Sequence, residues 1–140
     1  MHKFCIFIFL ICLVLFTNAL CSQPTHIAKL ERQVYDLNNE LKYKESQFIL
    51  QTFLAKKNIT EEEKYYANLF LSYTYKRLSD YNSNLEYLDK ALAAGVKTNK
   101  KEFFAANITC QKALAYFDIQ KYSKSKELMD QLENTNFAHI

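Results

Sequence analysis

Apolar side chains recur every three or four positions along most of the chain after residue 24, which is the spacing of one helix face. The first such stripe covers 27–41, and a second helix is predicted over about 45–57. Thr60, with Glu63 three residues later, has the pattern of a capping box, which marks the start of a third helix. With one Gly and one Pro in 140 residues, the chain is predicted to be nearly all helical.

The stretch 65–96 continues the third helix and adds a fourth after a break at Ser79–Asp80. Gly95, the only glycine, is predicted to end the fourth helix as a C-terminal stop. Thr98 is the predicted N-cap of a long fifth helix, and the last helix is predicted to open around Tyr122.

An internal repeat relates the three helix pairs. Tyr43, Tyr81 and Tyr122 each open a second helix, at spacings of 38 and 41 residues. Each is followed three residues later by a small or polar side chain and then by a large apolar one: Ser46, Asn84 and Ser125, then Leu50, Leu88 and Met129. These matches indicate three degenerate repeats, over about 27–60, 61–97 and 98–134.

The central repeat contains Leu71, the small residue Ser72 and Tyr75, followed by Asn84 and by Leu88 four residues later. This pattern resembles the tetratricopeptide repeat (TPR), although the Trp, Ala and Pro of that family's pattern are not reproduced. The resemblance implies an all-α fold: a right-handed superhelical stack of three helix-turn-helix repeats, with about six helices, after an N-terminal signal segment. It also implies that the first helices of the pairs line a groove for a peptide or protein.

The partner-binding residues that the resemblance implies lie on the first helices, opposite the packing face of Leu71 and Tyr75. Among them, Tyr73 and Arg77 are expected to dominate binding and to be dispensable for stability. The full set of candidates is Tyr35, Tyr66, Leu69, Tyr73, Lys76, Arg77, Leu114 and Phe117.

The N-terminus has the layout of a secretory signal. Lys3 precedes thirteen uncharged apolar residues, 4–16, and small Ala19 follows them. A signal peptide is therefore predicted over 1–21, with cleavage after Ala19 or after Cys21. An uncleaved membrane anchor or a lipid at Cys21 are the alternatives. The protein is predicted to be exported: periplasmic, in the cell envelope, or secreted.

The predicted cleavage decides which of the four cysteines remain in the mature chain. Cys5 and Cys12 leave with the signal, and Cys21 is expected to leave as well. Cys110 is then predicted to remain as the single thiol, buried on an apolar helix face and without an intramolecular disulfide.

Composition and motifs argue against several other functions. The net charge is +3, and only Arg32 and Arg77 among eighteen basic residues carry the forked guanidinium that nucleic-acid recognition favours. The three histidines, His2, His26 and His139, have no partner at metal-ligand spacing. We therefore expect no nucleic-acid binding, no metal, no cofactor and no enzymatic activity.

These expectations favour an exported, non-catalytic protein-interaction scaffold whose repeat domain covers 25–134, with a tail at 135–140. Its partner is predicted to be a protein or peptide, and it would meet a membrane only through an uncleaved signal or a lipid. Two alternatives stay open. One is a structural protein that self-associates through its last helix, and the other is a truncated sensor region similar to the exported repeat regions of bacterial signalling proteins.

Overall fold

The computed structural model describes residues 25–134, so the predicted signal segment 1–21 and the tail 135–140 lie outside the described residues. Within 25–134 the chain forms helices and no strand, which confirms the all-α prediction. No helix in this part of the chain is long and apolar enough to cross a membrane. The helices are α1 (Thr25–Asn39), α2 (Tyr43–Leu54), α3 (Glu61–Arg77), α4 (Tyr81–Gly95), α5 (Lys101–Asp118) and α6 (Tyr122–Asn134).

The same type of turn connects the two helices of each of the three pairs. Its central residue has a left-handed backbone: Leu41 with φ 61°, Ser79 with φ 57° and Gln120 with φ 61°. The next residue donates its amide to a carbonyl five residues back, which is the closing bond of a Schellman turn. These bonds are Lys42 to Leu37 (2.9 Å), Asp80 to Tyr75 (3.0 Å) and Lys121 to Tyr116 (2.8 Å). The turn therefore recurs at the spacings of 38 and 41 residues that the tyrosines showed.

A small or polar residue is buried near the start of each second helix. Ser46, Asn84 and Ser125 are at most 2% exposed. In the central pair, the Asn84 side-chain amide donates to the Ser72 carbonyl of α3 at 2.9 Å. Side chains of this size let two helices approach closely, and the large apolar residue four positions on fills the adjoining core. Those residues are Leu50, Leu88 and Met129, each at most 2% exposed.

Helix α3 is the centre of the fold and packs against α1, α2 and α4. Its Leu71 is fully buried, as predicted for a packing residue, and Tyr75 stacks on Tyr87 of α4 with ring centroids 5.2 Å apart. The predicted capping box starts the helix: the Thr60 hydroxyl accepts from the Glu63 amide, and the Glu63 carboxylate accepts from the Thr60 amide.

The junction between α4 and α5 differs from the prediction. The N-cap position of α5 is Lys100 and not Thr98. The Thr98 hydroxyl instead joins the two helices, because it donates to the Gly95 carbonyl at 2.8 Å and accepts from the Lys100 amide at 3.1 Å.

Gly95 is needed for space and not for its backbone freedom. It is the last residue of α4 and has no positive φ, so any residue could adopt its conformation. A Cβ at this position would lie 2.9 Å from Phe104 Cβ and 3.0 Å from the Tyr65 ring. The contact between α3, α4 and α5 therefore depends on the missing side chain.

We expect Gly95→Ala to lower the free energy of unfolding by about 1–3 kcal/mol, because the added methyl overpacks the contact with Phe104. Helix propensity alone would predict the opposite, a gain of about 0.5–1 kcal/mol. Ala93→Leu, at an exposed position of the same helix, serves as the control and should stay within about 0.5 kcal/mol. Chemical denaturation measures both, and a stabilised Gly95→Ala variant would contradict the steric explanation.

Candidate partner-binding surface

The first helices α1, α3 and α5 run side by side in the same direction. At their N-terminal ends, His26 of α1 contacts Glu63 of α3, and Glu62 of α3 accepts from Lys100 at the start of α5 at 2.9 Å. At their C-terminal ends, Arg77 of α3 donates to a carbonyl of α1, and Lys76 of α3 pairs with Asp118 of α5 at 2.9 Å. The three helices thus lie side by side, and we call their common side the first-helix face.

Buried polar bonds hold these helices in register. The Asn38 amide of α1 donates to the Thr74 hydroxyl of α3 at 3.0 Å. On the other side of α3, the Asn107 amide of α5 donates to the Tyr65 hydroxyl at 2.7 Å. The Tyr65 ring also stacks on Phe104, with centroids 3.8 Å apart. A slip of either neighbour along α3 would leave these buried groups without partners.

Two of the predicted binding residues belong to the core. Tyr66 is 3% exposed and Leu69 is 4% exposed. The Tyr66 ring meets Phe104 edge-on at 5.7 Å, so it packs between α3 and α5. The expectation that the side of α3 opposite Leu71 is open is wrong at these positions, because the central helix is covered on nearly every side.

Tyr73 and Arg77, the two residues expected to dominate binding, are also involved in the packing and hydrogen bonding of the fold. The Tyr73 hydroxyl is buried and has no hydrogen-bond partner among residues 25–134. Burial raises the pKa of Tyr73 well above its ordinary value, and the nearby Tyr65 and Glu31 raise it further. The Arg77 guanidinium donates to the Asn38 carbonyl at 3.0 Å and so satisfies one of the last carbonyls of α1. The expectation that both residues are dispensable for stability therefore has no structural support.

The remaining candidates lie toward the C-terminal ends of the first helices. Tyr35 is 59% exposed, Phe117 is partly buried, and Lys76 sits between α3 and α5 in its ion pair. Sequence reasoning missed one neighbour: Tyr122, 56% exposed, meets Phe117 edge-on at 5.2 Å. It was missed because its position in the repeat suggested only the opening of a second helix. The candidate Leu114 instead packs against the apolar cluster of Cys110, Met129 and Leu132. We call the more exposed region the C-terminal rim; it consists of Tyr35, Lys76, Arg77, Phe117 and Tyr122.

Cys110 is not the free thiol that the sequence predicted. It is 1% exposed and disulfide-bonded. No other cysteine occurs in 25–134, so its partner lies outside the described residues. The available signal was the even number of cysteines in the sequence.

The three consecutive glutamates at the start of α3 take part in helix capping and in ion pairs. Glu61 pairs with Lys64 at 2.6 Å and Glu62 pairs with Lys100, while Glu63 completes the capping box. Within 25–134 no group of three His, Cys, Asp or Glu side chains is placed to hold a metal ion. The acidic run therefore stabilises the start of a helix, where negative charge is favourable.

Comparison of this chain with models of protein families, with curated proteins and with solved structures gives no match.

Tyr65 and Tyr73 of α3 make a matched pair for a stability test, because only the Tyr65 hydroxyl has a hydrogen-bond partner among residues 25–134. Tyr73→Phe removes a hydroxyl without a partner and should raise the free energy of unfolding by about 1 kcal/mol. Tyr65→Phe leaves the buried Asn107 amide without its acceptor and should lower it by about 1–2 kcal/mol. Urea denaturation compares them, and equal losses would mean that the Tyr73 hydroxyl has a partner after all.

The pH dependence of stability should report on Glu63. Burial alone would raise the pKa of this carboxyl, but the Thr60 amide, the Thr60 hydroxyl and His26 outweigh it and lower the pKa. Because the folded pKa lies below the unfolded value near 4.5, the carboxylate stabilises the fold above that pH. This contribution is lost as the pH falls through the folded pKa. We expect Glu63→Gln to lower the free energy of unfolding by about 1 kcal/mol at pH 7 and by almost nothing near pH 2. Thermal unfolding measured across this pH range tests the prediction. A loss of stability that is the same at every pH would contradict the assignment of this pH dependence to the Glu63 carboxylate.

Proposed function

We propose that this protein is an exported, non-catalytic scaffold that binds a peptide or protein with a stack of three TPR-like repeats in a right-handed superhelix. The observation that carries the proposal is the threefold recurrence of one hairpin. Each copy has a left-handed turn residue and a small or polar buried residue five positions later in the second helix. Stacked hairpins of this kind typically offer an extended binding surface on one side.

The C-terminal rim is the proposed contact surface. It combines exposed or half-buried aromatic rings, Tyr35, Phe117 and Tyr122, with the basic side chains Lys76 and Arg77. Aromatic side chains supply large contact areas at small entropic cost, and basic groups add polar contacts to a peptide backbone or carboxylate. The buried Tyr66 acts indirectly, because its ring packs on Phe104 and holds α3 against α5, while Leu69 is part of the same core.

Export is proposed from the N-terminal pattern of Lys3, the apolar residues 4–16 and Ala19. The cell envelope, the periplasm or the external medium would then be the place where the scaffold meets its partner. A truncated sensor region of a signalling protein would use the same surface.

Self-association is the second candidate function. Helix α6 is the last of the described helices, and it carries Tyr122, 56% exposed, with Leu128 partly buried. A copy of the chain that packed against α6 would continue the stack of hairpins. Light scattering coupled to size-exclusion chromatography separates the two functions, because a self-associating stack gains mass as its concentration rises and a peptide receptor does not.

The binding prediction is tested by selecting peptides from a displayed random library on the purified chain. Binding of the selected peptides, measured by fluorescence anisotropy, should fall at least tenfold in a Tyr35→Ala/Phe117→Ala variant. Phe48→Ala is the control, because Phe48 is 69% exposed but lies on the second helix α2. Its affinity should stay within about twofold of the parent. Peptides that depend on Phe48 and ignore Tyr35 and Phe117 would place the binding surface on the second helices.

A further inference from the structure

Two polar side chains of the neighbouring helices α1 and α3 have no partner among residues 25–134. The Tyr73 hydroxyl of α3 is buried and makes no hydrogen bond there, although part of the residue is exposed. Glu31 of α1 is partly buried, and burial raises the pKa of its carboxyl with no basic side chain of the described residues lowering it. Burying a polar or charged group without a partner costs free energy, so neither group is explained by the stability of the fold.

The two groups lie close to each other at the contact between α1 and α3. Hydrogen bonds between these helices join residues 36 and 37 positions apart, so Glu31 lies level with residues 67–68 of α3. Tyr73 follows five or six residues later, about 8 Å along the helix axis at 1.5 Å per residue. Long side chains on a helix point back toward its N-terminus, so the Tyr73 ring covers part of that distance. Burial raises the pKa of the Tyr73 phenol, and the nearby Tyr65 and Glu31 raise it further, although no hydrogen bond joins Tyr73 to Glu31.

We propose that Glu31 and Tyr73 together bind a primary ammonium group of the peptide partner, supplied by a lysine side chain or by the free N-terminus. This inference deepens the proposed binding function and rests on it. The ammonium donates one hydrogen bond to the Glu31 carboxylate and one to the Tyr73 hydroxyl oxygen, and its third N–H faces water or the peptide itself.

The chemistry of the two groups selects an ammonium over other polar ligands. An anionic ligand, such as a peptide C-terminus, is repelled by the Glu31 carboxylate. A neutral amide or hydroxyl would leave the partly buried negative charge without a counter-charge. A guanidinium presents five donors in a planar fork, whereas one carboxylate and one hydroxyl oxygen match the compact ammonium with its three donors.

The site adjoins the C-terminal rim on both helices. Glu31 precedes Tyr35 by four residues on α1, and Tyr73 precedes Arg77 by four residues on α3, so the members of each pair share one helix face. In the repeat, Glu31 corresponds to Leu69 of α3, 38 residues later, so the first repeat carries a carboxylate where the second carries an apolar side chain. One peptide can therefore place its ammonium between α1 and α3 while it contacts the aromatic and basic side chains of the rim.

The site is tested directly with n-butylammonium chloride, by NMR of the full chain with tyrosine isotope-labelled at Cζ. The Tyr73→Phe variant identifies the Tyr73 resonance by its loss. In the parent this resonance should shift saturably with n-butylammonium, and Glu31→Gln should weaken that binding by roughly tenfold or more, because a charged hydrogen bond is lost. Tetramethylammonium has no N–H donor and should give no saturable shift. A Tyr73 resonance that ignores n-butylammonium, or that responds equally to tetramethylammonium, would overturn the proposal.

Stability measurements separate a binding role of Glu31 from a structural one. Glu31→Gln removes a charge that no side chain within 25–134 compensates, so unfolding in urea should require at least as much denaturant as for the parent. Glu45→Gln is the matched control, because Glu45 is an exposed carboxylate on the second helix α2. Its affinity for n-butylammonium should stay within about twofold of the parent. A Glu31→Gln variant that unfolds at clearly lower urea would show that the carboxylate serves the fold, against the proposal.

The peptides selected on the parent chain identify the source of the ammonium. Their affinity should fall by roughly tenfold or more for Glu31→Gln. Replacement of their lysine by norleucine should give the same loss where the side chain supplies the ammonium, and acetylation of the N-terminus should give it where the terminus does. Peptides that keep their affinity after both changes would refute the ammonium site.

Failure of the proposed function gives a different result from failure of the site. A library that yields no peptide would count against the scaffold, and the response of Tyr73 to n-butylammonium would still decide whether the site binds an ammonium. Peptides that depend on Tyr35 and Phe117 but bind Glu31→Gln as tightly as the parent would support the scaffold and refute the site.

Discussion

The fold depends on close approach of paired helices at small or polar side chains. Ser46, Asn84 and Ser125 occupy the same place in the three hairpins, each buried near the start of a second helix. In the central pair the approach is close enough for the Asn84 amide to reach the Ser72 carbonyl of the facing helix. Large side chains at these positions would push the helices apart and expose the apolar residues that follow them.

Close approach recurs between the hairpins, where Gly95 leaves room for Phe104 and Tyr65. The Tyr65 ring stacks on Phe104, and its hydroxyl accepts a hydrogen bond from Asn107. The Tyr65 side chain therefore contributes both packing and a hydrogen bond between the second and third repeats. The arrangement explains why α3 has almost no exposed face. A central helix that touches neighbours on each side keeps only its ends available to a partner, which is why the proposed surface is the C-terminal rim.

The ends of the first helices are linked by charge as well as by packing. Arg77 satisfies a carbonyl at the end of α1, and Lys76 pairs with Asp118 at the end of α5. Positive groups at helix C-termini are favourable, so these residues stabilise the same surface that they are proposed to offer. A partner that competes for Lys76 or Arg77 would therefore act on the alignment of the first helices. Binding and the register of the repeats are coupled in this proposal.

The sequence by itself determined what depends on near neighbours. Helix periodicity placed the six helices, the Thr60 and Glu63 spacing placed the start of α3, and the repeat of Tyr43, Tyr81 and Tyr122 marked where the second helices open. These features need only residues within one or two turns, so a linear pattern is sufficient to predict them.

Tertiary structure decided which residues remain on the surface and why certain residue types are needed. Tyr66 and Leu69 are buried because α3 has neighbours on both sides. The partner of Arg77 lies 39 residues away, and the steric need for Gly95 comes from Phe104 on another helix. The linkage of Cys110 likewise joins it to a distant part of the chain. Each depends on which helices meet in space, and periodicity within a single helix does not contain that information.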